Sequence, residues 1–424
     1  MKLLFTLALI SAVIIVKAQS SGVIDSAVMG ANYANDVFYS LKTGNKYYSD
    51  RMNWDIAFRT NIMSSSILTN GGSGVHLYTY PKADTQAWSN IDTTGLYTWK
   101  PMYNSLKDWE KGAFMAHAGN HPDYGWGVYN SSNHKLHGDS IFIIQLSNQA
   151  WKKIWIVQKD SPKNIYYFRI ANIDGSNDTL ITINCNNFKA KEFVGFSLVN
   201  MQIADREPII ENWDLLFTKY MDKVYMGPSP VDYPVIGVLS SAKTQVVKVK
   251  GYEETTYEDY ASHTFEKNNI SLIGRDWKAT NGQPPVYSMV DSLLYFIKTA
   301  DSSIYKLYFT DFISGTSGDG RTVFVKKQLG NSSVKNLKST NQQNISIYPN
   351  PASKSAHLIY DYPQQDNIRI TVIDAFGHLV LSQNYTVEAG FNVIALNIES
   401  LKSGVYFVSV SNGSSSSNTR LLVQ

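Results

Sequence analysis

The chain has 424 residues, enough for several domains, and its 38 Lys and Arg against 35 Asp and Glu leave a formal charge of only +3. That charge is spread without a basic block, which excludes an electrostatic grip on nucleic acid or on an anionic membrane surface. One cysteine, Cys185, excludes intramolecular disulfides, so stability has to come from burial, to which 27 Tyr, 18 Phe and 9 Trp bring large apolar surfaces.

At the amino end, Lys2 precedes an apolar run from Leu3 to Val16, and Val16-Lys17-Ala18 before Gln19 offers small residues at a cleavage point. This reads as a secretory signal peptide over residues 1–18, too short for a transmembrane anchor; no later stretch reaches the roughly twenty apolar residues that a span requires. The expected route is export to the periplasm.

The central region repeats itself. Asn53-Trp54-Asp55-Ile-Ala-Phe58 recurs as Asn212-Trp213-Asp214-Leu-Leu-Phe217, Asp139-Ser140-Ile-Phe-Ile-Ile144 as Asp291-Ser292-Leu-Leu-Tyr-Phe296, and Lys153-Ile154-Trp155-Ile156 as Lys306-Leu307-Tyr308-Phe309, at offsets of about 159, 152 and 153 residues. Echoes that keep their order at so long a period predict two copies of one domain, residues 19–200 and 201–329, rather than a solenoid. Val246–Lys250, Ile141–Leu146 and Tyr166–Ile170 are β-branched or aromatic runs between turn clusters at Asp174–Asp178 and Gly315–Gly320, so both copies read as antiparallel β modules. Only Lys107–Ala118 and Ala204–Phe217 leave room for a helical turn or two. Trp54 and Trp213 read as core anchors, with Asp55 and Asp214 fixing neighbouring backbone. Cys185 closes the alternating run that starts at Thr179 and reads as a buried structural thiol.

Signals for catalysis are thin. Ser73 and Ser317 lie in Gly-rich turns without the full nucleophile elbow, and His137-Gly-Asp139-Ser140 sets triad residue types side by side where a triad needs the fold to assemble them. The two Asp-rich turns lack EF-hand spacing, and turn chemistry accounts for them. No catalytic residue and no metal ligand set is assigned, and the expectation is a non-enzymatic binding protein.

Four of the eight histidines crowd one region: His117 and His121 in Met115-Ala-His-Ala-Gly-Asn-His-Pro122, then His134 and His137 in Asn133-His-Lys-Leu-His-Gly138. Gly119 and Pro122 favour a loop for the first pair. Trp99, Tyr103, Trp109, Phe114, Tyr124, Trp126 and Tyr129 flank them. Such aromatics suit an ordinary core first and a sugar-stacking surface second.

Residues 330–343 form a polar linker and residues 344–424 a last module. Ile368, Ile370 and Val372 alternate with polar neighbours, and Val393, Ala395 and Asn397 do so less cleanly. Asp374 and Gly377 supply one turn, Ser403-Gly404 another, and Pro349 and Pro351 hold Asn350 in an extended entrance that resists pairing. A small antiparallel β-sandwich is the expected result.

The order Tyr348-Pro349-Asn350-Pro351, then Asp374-Ala-Phe-Gly377, then Leu401-Lys-Ser-Gly404-Val-Tyr406-Phe-Val408, then Arg420-Leu-Leu-Val-Gln424, resembles the type A C-terminal sorting domain of type IX (Por) secretion cargo. The resemblance implies the type IX machinery as a partner and a secreted or outer-surface location. The repeated Trp-Asp unit, the Lys-φ-aromatic-φ strand, and the close Ile304–Phe312, Gly315–Gly320, Thr322–Val325 resemble the HmuY family of surface-exported haem-binding proteins, between Val23 and Leu329. That family holds haem between pairs of His or Met on extended loops, which implies haem as a cofactor and His117, His121, His134 and His137 as the candidate ligands. Imidazole and thioether suit this because each offers iron one axial lone pair. The alternative is a surface adhesin or glycan-binding protein.

Overall fold

The computed structural model describes residues 22–281, 286–331 and 345–424, apart from 363, 376 and 413–415. The expected signal peptide and most of the expected linker lie outside these residues. Among the described residues the chain is all-β, and helix is confined to short 3-10 turns. Two of these, Ala113–Met115 and Ile210–Asn212, fall inside the two segments where helical turns were expected.

Four main antiparallel sheets build the body, in two matched pairs. One five-stranded path runs Thr179–Asn184, Ile165–Asn172, Trp151–Asp160, Phe142–Gln145 and His76–Thr79. The hairpin Gly127–Asn130/Lys135–Gly138 extends this sheet along Trp151–Asp160. The other five-stranded sheet runs Val23–Val28, Arg321–Asn331, Ser303–Phe312, Leu293–Lys298 and Gln245–Lys250. The smaller sheets have the orders Gln202–Ala204, Phe193–Ser197, Ile56–Arg59, Ile67–Thr69 and Lys46–Asp50, Asn35–Tyr39, Leu215–Tyr225, Pro230–Ser240.

The two sets therefore match strand for strand, but their chain order differs. Residues 23–50, assigned with the first module by the expected boundaries 19–200, pair and pack with residues 215–331. Ala27, Val37 and Tyr39 share a core with Leu215, Tyr295 and Phe324, whereas Phe58, Trp126, Tyr166 and Phe196 belong to the other core. The physical reason is edge pairing. Val23–Val28 completes the hydrogen bonds of Arg321–Asn331, as Thr179–Asn184 does for Ile165–Asn172.

The repeated residues perform matching work. Asp55 Oδ2 accepts from the backbone N–H of Leu198 at 2.7 Å, and Asp214 Oδ2 from that of Leu41 at 2.8 Å, each just past the strand beside it. Lys153 and Lys306 are both buried, with Nζ donating to loop carbonyls: Trp88 O at 2.5 Å in one half, Thr255 O at 2.9 Å in the other. Trp54 and Trp213 are buried too, but not in the two large cores. They sit in small clusters with Phe193 and Leu68, and with Phe38 and Leu216 respectively. Cys185 is buried as expected, but it opens a 3-10 turn rather than ending a strand, and burial pushes its thiol up to about 12.

The tail is a sandwich of Ile345–Tyr348, Ser355–Tyr362 and Gly390–Asn397 against Leu379–Val387, Asp366–Asp374, Gly404–Ser411 and Ser416–Val423. Ile368, Ile370 and Val372 face its core. In Gly390–Asn397 the parity is opposite to the expected one: Ile394 and Leu396 are buried, while Ala395 and Asn397 point outward. The two larger aliphatic chains win the inward face. Asp374 and Gly377 do form the turn, with the N–H of Gly377 donating to Asp374 O and Gly377 at φ 89°. Nor does the proline-framed entrance stay unpaired. Asn350 Nδ2 donates to Arg420 O at 2.7 Å, its Oδ1 accepts from Leu422 N at 2.8 Å, and Ala352 bridges Val423. The Tyr-Pro-Asn-Pro motif is thereby laced to the final strand. Tyr406 is buried, its hydroxyl donating to Lys402 O across the turn before Gly404.

Candidate functional site

The first histidine pair lies in the loop after Ala113–Met115. Asp123 ties this loop by accepting from Gly119 N at 2.8 Å and Gly125 N at 2.7 Å, a short-range arrangement of the kind Asp favours in turns. His134 occupies the turn of the Gly127–Asn130/Lys135–Gly138 hairpin with φ 55°, and His137 is exposed on the outgoing strand.

Tyr129 is the meeting point. The His121 ring lies 5.5 Å from it, centroid to centroid, and the His134 ring 6.1 Å, with Tyr129 Oη and His134 Nδ1 hydrogen-bonded at 2.6 Å. His117 stands apart, exposed, with Nδ1 3.4 Å from Thr79 Oγ1. The fold thus gathers His121 and His134 at one aromatic side chain and leaves His117 and His137 outside that contact. Partial burial lowers the pKa of His121, and burial aided by the charge of His357 lowers that of His134. Both imidazoles are therefore biased towards the neutral form that carries a free lone pair. Burial also pushes the Tyr129 phenol up to about 12, so it stays protonated.

The sorting tail reaches this place. Tyr348 lies against His121 with ring centroids 3.9 Å apart and 5.7 Å from Tyr129, and Phe391 approaches His134 at 5.9 Å. Between body and tail is a cavity of about 210 Å³, lined by Ile62, Tyr124, Tyr129, Leu136 and Lys159 on one side and by Ile347, Tyr348 and Phe391 on the other. The Lys159 amine is fully buried, donates to Ile62 O at 3.0 Å and to Ser64 O, and is brought down to about 8 by desolvation.

Of the aromatics that flank the histidines, Trp109 is half-buried, packs on Phe193 and donates to Ser240 O at 3.0 Å, and Trp99 is half-buried against Tyr80. Among the described residues no cluster of three or more His, Cys, Asp or Glu could hold a metal ion, and no helix is long and apolar enough to cross a membrane.

Sequence reasoning missed a set of buried charges between the two small sheets. Arg59 pairs with Glu192, and Arg206 with Asp36, which also accepts from Thr218 Oγ1 at 2.6 Å. The Arg206 guanidinium sits 4.9 Å from the Trp54 ring and 5.6 Å from the Phe38 ring. Glu207 accepts from the amides of Glu192 and Phe193 at 3.1 and 2.9 Å, yet burial still lifts its carboxyl to about 7. Asp36, Arg59 and Glu192 are scattered along the sequence, Arg206 and Glu207 stand side by side after Asp205, and only the repeated Trp pointed to their neighbourhood.

Residues 32–325 match the HmuY protein family, and residues 346–424 match the secretion system C-terminal sorting domain. No curated protein sequence matches the chain. Solved structures similar to it include a putative lipoprotein from Bacteroides fragilis, at 14% identity over 31% of this chain and 80% of that one, TM-score 0.17. A putative HmuY-like heme binding protein from Bacteroides vulgatus shows 12% identity over 35% of this chain and 78% of that one, TM-score 0.14. Latent PorU from Porphyromonas gingivalis shows 9% identity over 94% of this chain and 34% of that one, TM-score 0.17. Likenesses this low carry no structural argument; the sequence matches alone bear on the family.

Proposed function

The chain belongs to the HmuY family, carries a type IX sorting tail that makes it a secreted or outer-surface protein, and from that premise we propose that it is a non-enzymatic haem-binding protein using His121 and His134. The single observation behind this reading is the convergence of those two histidines, from separate loops, on Tyr129. Haem supplies an iron with axial positions open to imidazole. His134 would coordinate through Nε2, its Nδ1–H donating to the Tyr129 oxygen, which fixes the ring and leaves the distal nitrogen free. His121 would supply the second imidazole.

The donor set fits the group, but the cavity as it stands does not hold all of it. About 210 Å³ falls below the roughly 300 Å³ at which pockets for larger organic ligands begin. Tyr348 lies on His121, so the sorting tail covers one of the two donors. Haem uptake on this reading follows displacement of the sorting tail.

The test is a haemin titration of the full chain and of a version with a protease site placed within residues 332–343, followed by the Soret band. Cleavage should strengthen the band. His121→Ala and His134→Ala should each abolish its low-spin form, and His117→Ala and His137→Ala should leave it in place. An unchanged spectrum in the first two variants sinks the assignment.

A further inference from the structure

A second cavity, of about 70 Å³, lies between the two small sheets, far in composition from the histidine loops. Ala57, Leu68 and Phe193 line it from one sheet, Leu216, Thr218 and Leu239 from the other. Trp54 and Trp213, the residues of the repeated Asn-Trp-Asp unit, both contribute to its wall.

What distinguishes these two tryptophans is their hydrogen bonding. The indole N–H groups of Trp88, Trp109, Trp126, Trp155 and Trp277 donate to Asp178, Ser240 O, Ser65 O, Gly138 O and Gly274 O at 2.9–3.1 Å. Trp54 Nε1 and Trp213 Nε1 are buried and have no protein acceptor among the described residues. Arg206 Nε is in the same condition, although its guanidinium is ion-paired with Asp36. Buried donors are seldom left unmet, so three on residues that line one cavity is a pattern that calls for an acceptor inside it.

The charges decide what kind of acceptor. Arg206 is neutralised by Asp36 and Arg59 by Glu192, and Lys219, the one lining cation outside these pairs, falls by strand alternation on the face of Leu215 and Phe217, opposite to Leu216 and Thr218. Glu192 Oε1 lies buried and unpartnered on the same wall, and would repel a carboxylate. We infer that this cavity is a binding site for a small uncharged compound whose carbonyl or hydroxyl oxygen accepts from Trp54, Trp213 and Arg206 while its carbon body packs on Leu68, Leu216 and Leu239. The volume is about half of the roughly 150 Å³ that admits a benzene ring, which limits the ligand to a few heavy atoms. Binding of so small a molecule belongs in the millimolar range. The haem reading plays no part in this inference.

The nine indole N–H signals of the ¹⁵N-labelled full chain provide the test, with acetone as the probe and acetate, its isosteric anion, as the comparison at pH 7.5. Trp54→Phe and Trp213→Phe identify the two signals. Acetone should move both saturably, leave those of Trp88, Trp126, Trp155 and Trp277, which do not line the cavity, in place, and act at about tenfold lower concentration than acetate, given the cost of burying an unpaired charge. Ala57→Leu gives one half the side chain that Leu216 already supplies to the other, and should fill the space and abolish the response. If neither signal moves, if all nine move alike, or if acetate is as effective as acetone, the inference is overturned. The titration of the parent chain alone decides this if Ala57→Leu fails to fold.

Discussion

In one half of the body the strand Ile56–Arg59 lies beside Phe193–Ser197, which follows it in the chain; in the other, Leu215–Tyr225 lies beside Asn35–Tyr39, which precedes it. The two halves agree wherever a side chain holds backbone. Asp55 and Asp214 each accept from the amide just past the neighbouring strand, and Lys153 and Lys306 each donate to loop carbonyls from a buried position. They differ where the small sheets face one another. Gly195 stands opposite Ala57 in one half, and Phe38 opposite Leu216 in the other; Arg59 pairs with Glu192, whereas Thr218 bonds Asp36. Buried backbone polar groups have few ways of being satisfied, so the residues that satisfy them stay alike.

The most damaging way to probe this comparison is to remove residues 22–50. On the observed pairing, the core around Tyr295 and Phe324 loses an edge strand and the partner of Leu215–Tyr225, so residues 213–331 should lose protection in limited proteolysis while residues 54–204 keep theirs. Survival of a protected fragment 201–329 would restore the expected boundary and end the claim that the second half is completed from the amino end.

Next in size are the two tryptophans. Trp54→Ala and Trp213→Ala should each lower unfolding free energy by roughly 3–5 kcal/mol in urea, the usual cost of emptying a buried aromatic site. Neither change loses a protein hydrogen bond, so the two values should agree within about 1 kcal/mol. A large gap between them would mean that only one half depends on its anchor.

Asp55→Ala and Asp214→Ala come third. Each strips a buried amide of its acceptor, at about 1–3 kcal/mol. Asp55 should stand at the upper end, since it also accepts from Val199 N at 3.3 Å, while Asp214 Oδ2 serves Leu41 alone. Equal values, or Asp214 the larger, would count against the reading that the bond number sets the difference.

These pairs also show what could be read in advance. The Trp-Asp and Lys-φ-aromatic-φ echoes exposed the shared backbone devices because the same chemistry had to be written twice, and the strand runs around Ile141, Tyr166 and Val246 were legible from β-branched and aromatic residues alone. The partner of Val23–Val28 was not legible, because pairing with Arg321–Asn331 leaves no trace in local pattern. In the tail, Gly390–Asn397 has aliphatic residues on both parities, so alternation could not choose a face. Of the four histidines, the loop sequence gave all equal standing; only the hairpin turn and Tyr129 separate His121 and His134 from the rest. Asp36 and the neighbours Arg206 and Glu207 came from distant segments and became a group only through folding.

The smallest effect concerns Glu207, whose side chain is partly exposed although its carboxyl bonds the amides of Glu192 and Phe193. Folding raises its pKa from 4.5 to about 7, with desolvation as the main cause. Between those values the folded chain binds more protons than the unfolded one, so stability falls as pH rises through the interval and the whole cost is felt above pH 7. Glu207→Gln removes the cost. Solvent at the exposed part of the side chain screens it, so the variant should gain on the order of 1 kcal/mol over the parent at pH 8, and nothing at pH 4. Asp55, Glu192 and Asp214, the last raised to about 6, slope in the same direction but are common to parent and variant, so the difference isolates Glu207. In the other half, Asp50 is exposed at the end of the strand that pairs with Asn35–Tyr39, as Glu207 follows the strand that pairs with Phe193–Ser197, and Asp50→Asn should change stability little at either pH. Parallel curves for Glu207→Gln and its parent would show that the junction carboxyl is solvated, and the electrostatic contrast between the halves would go with it.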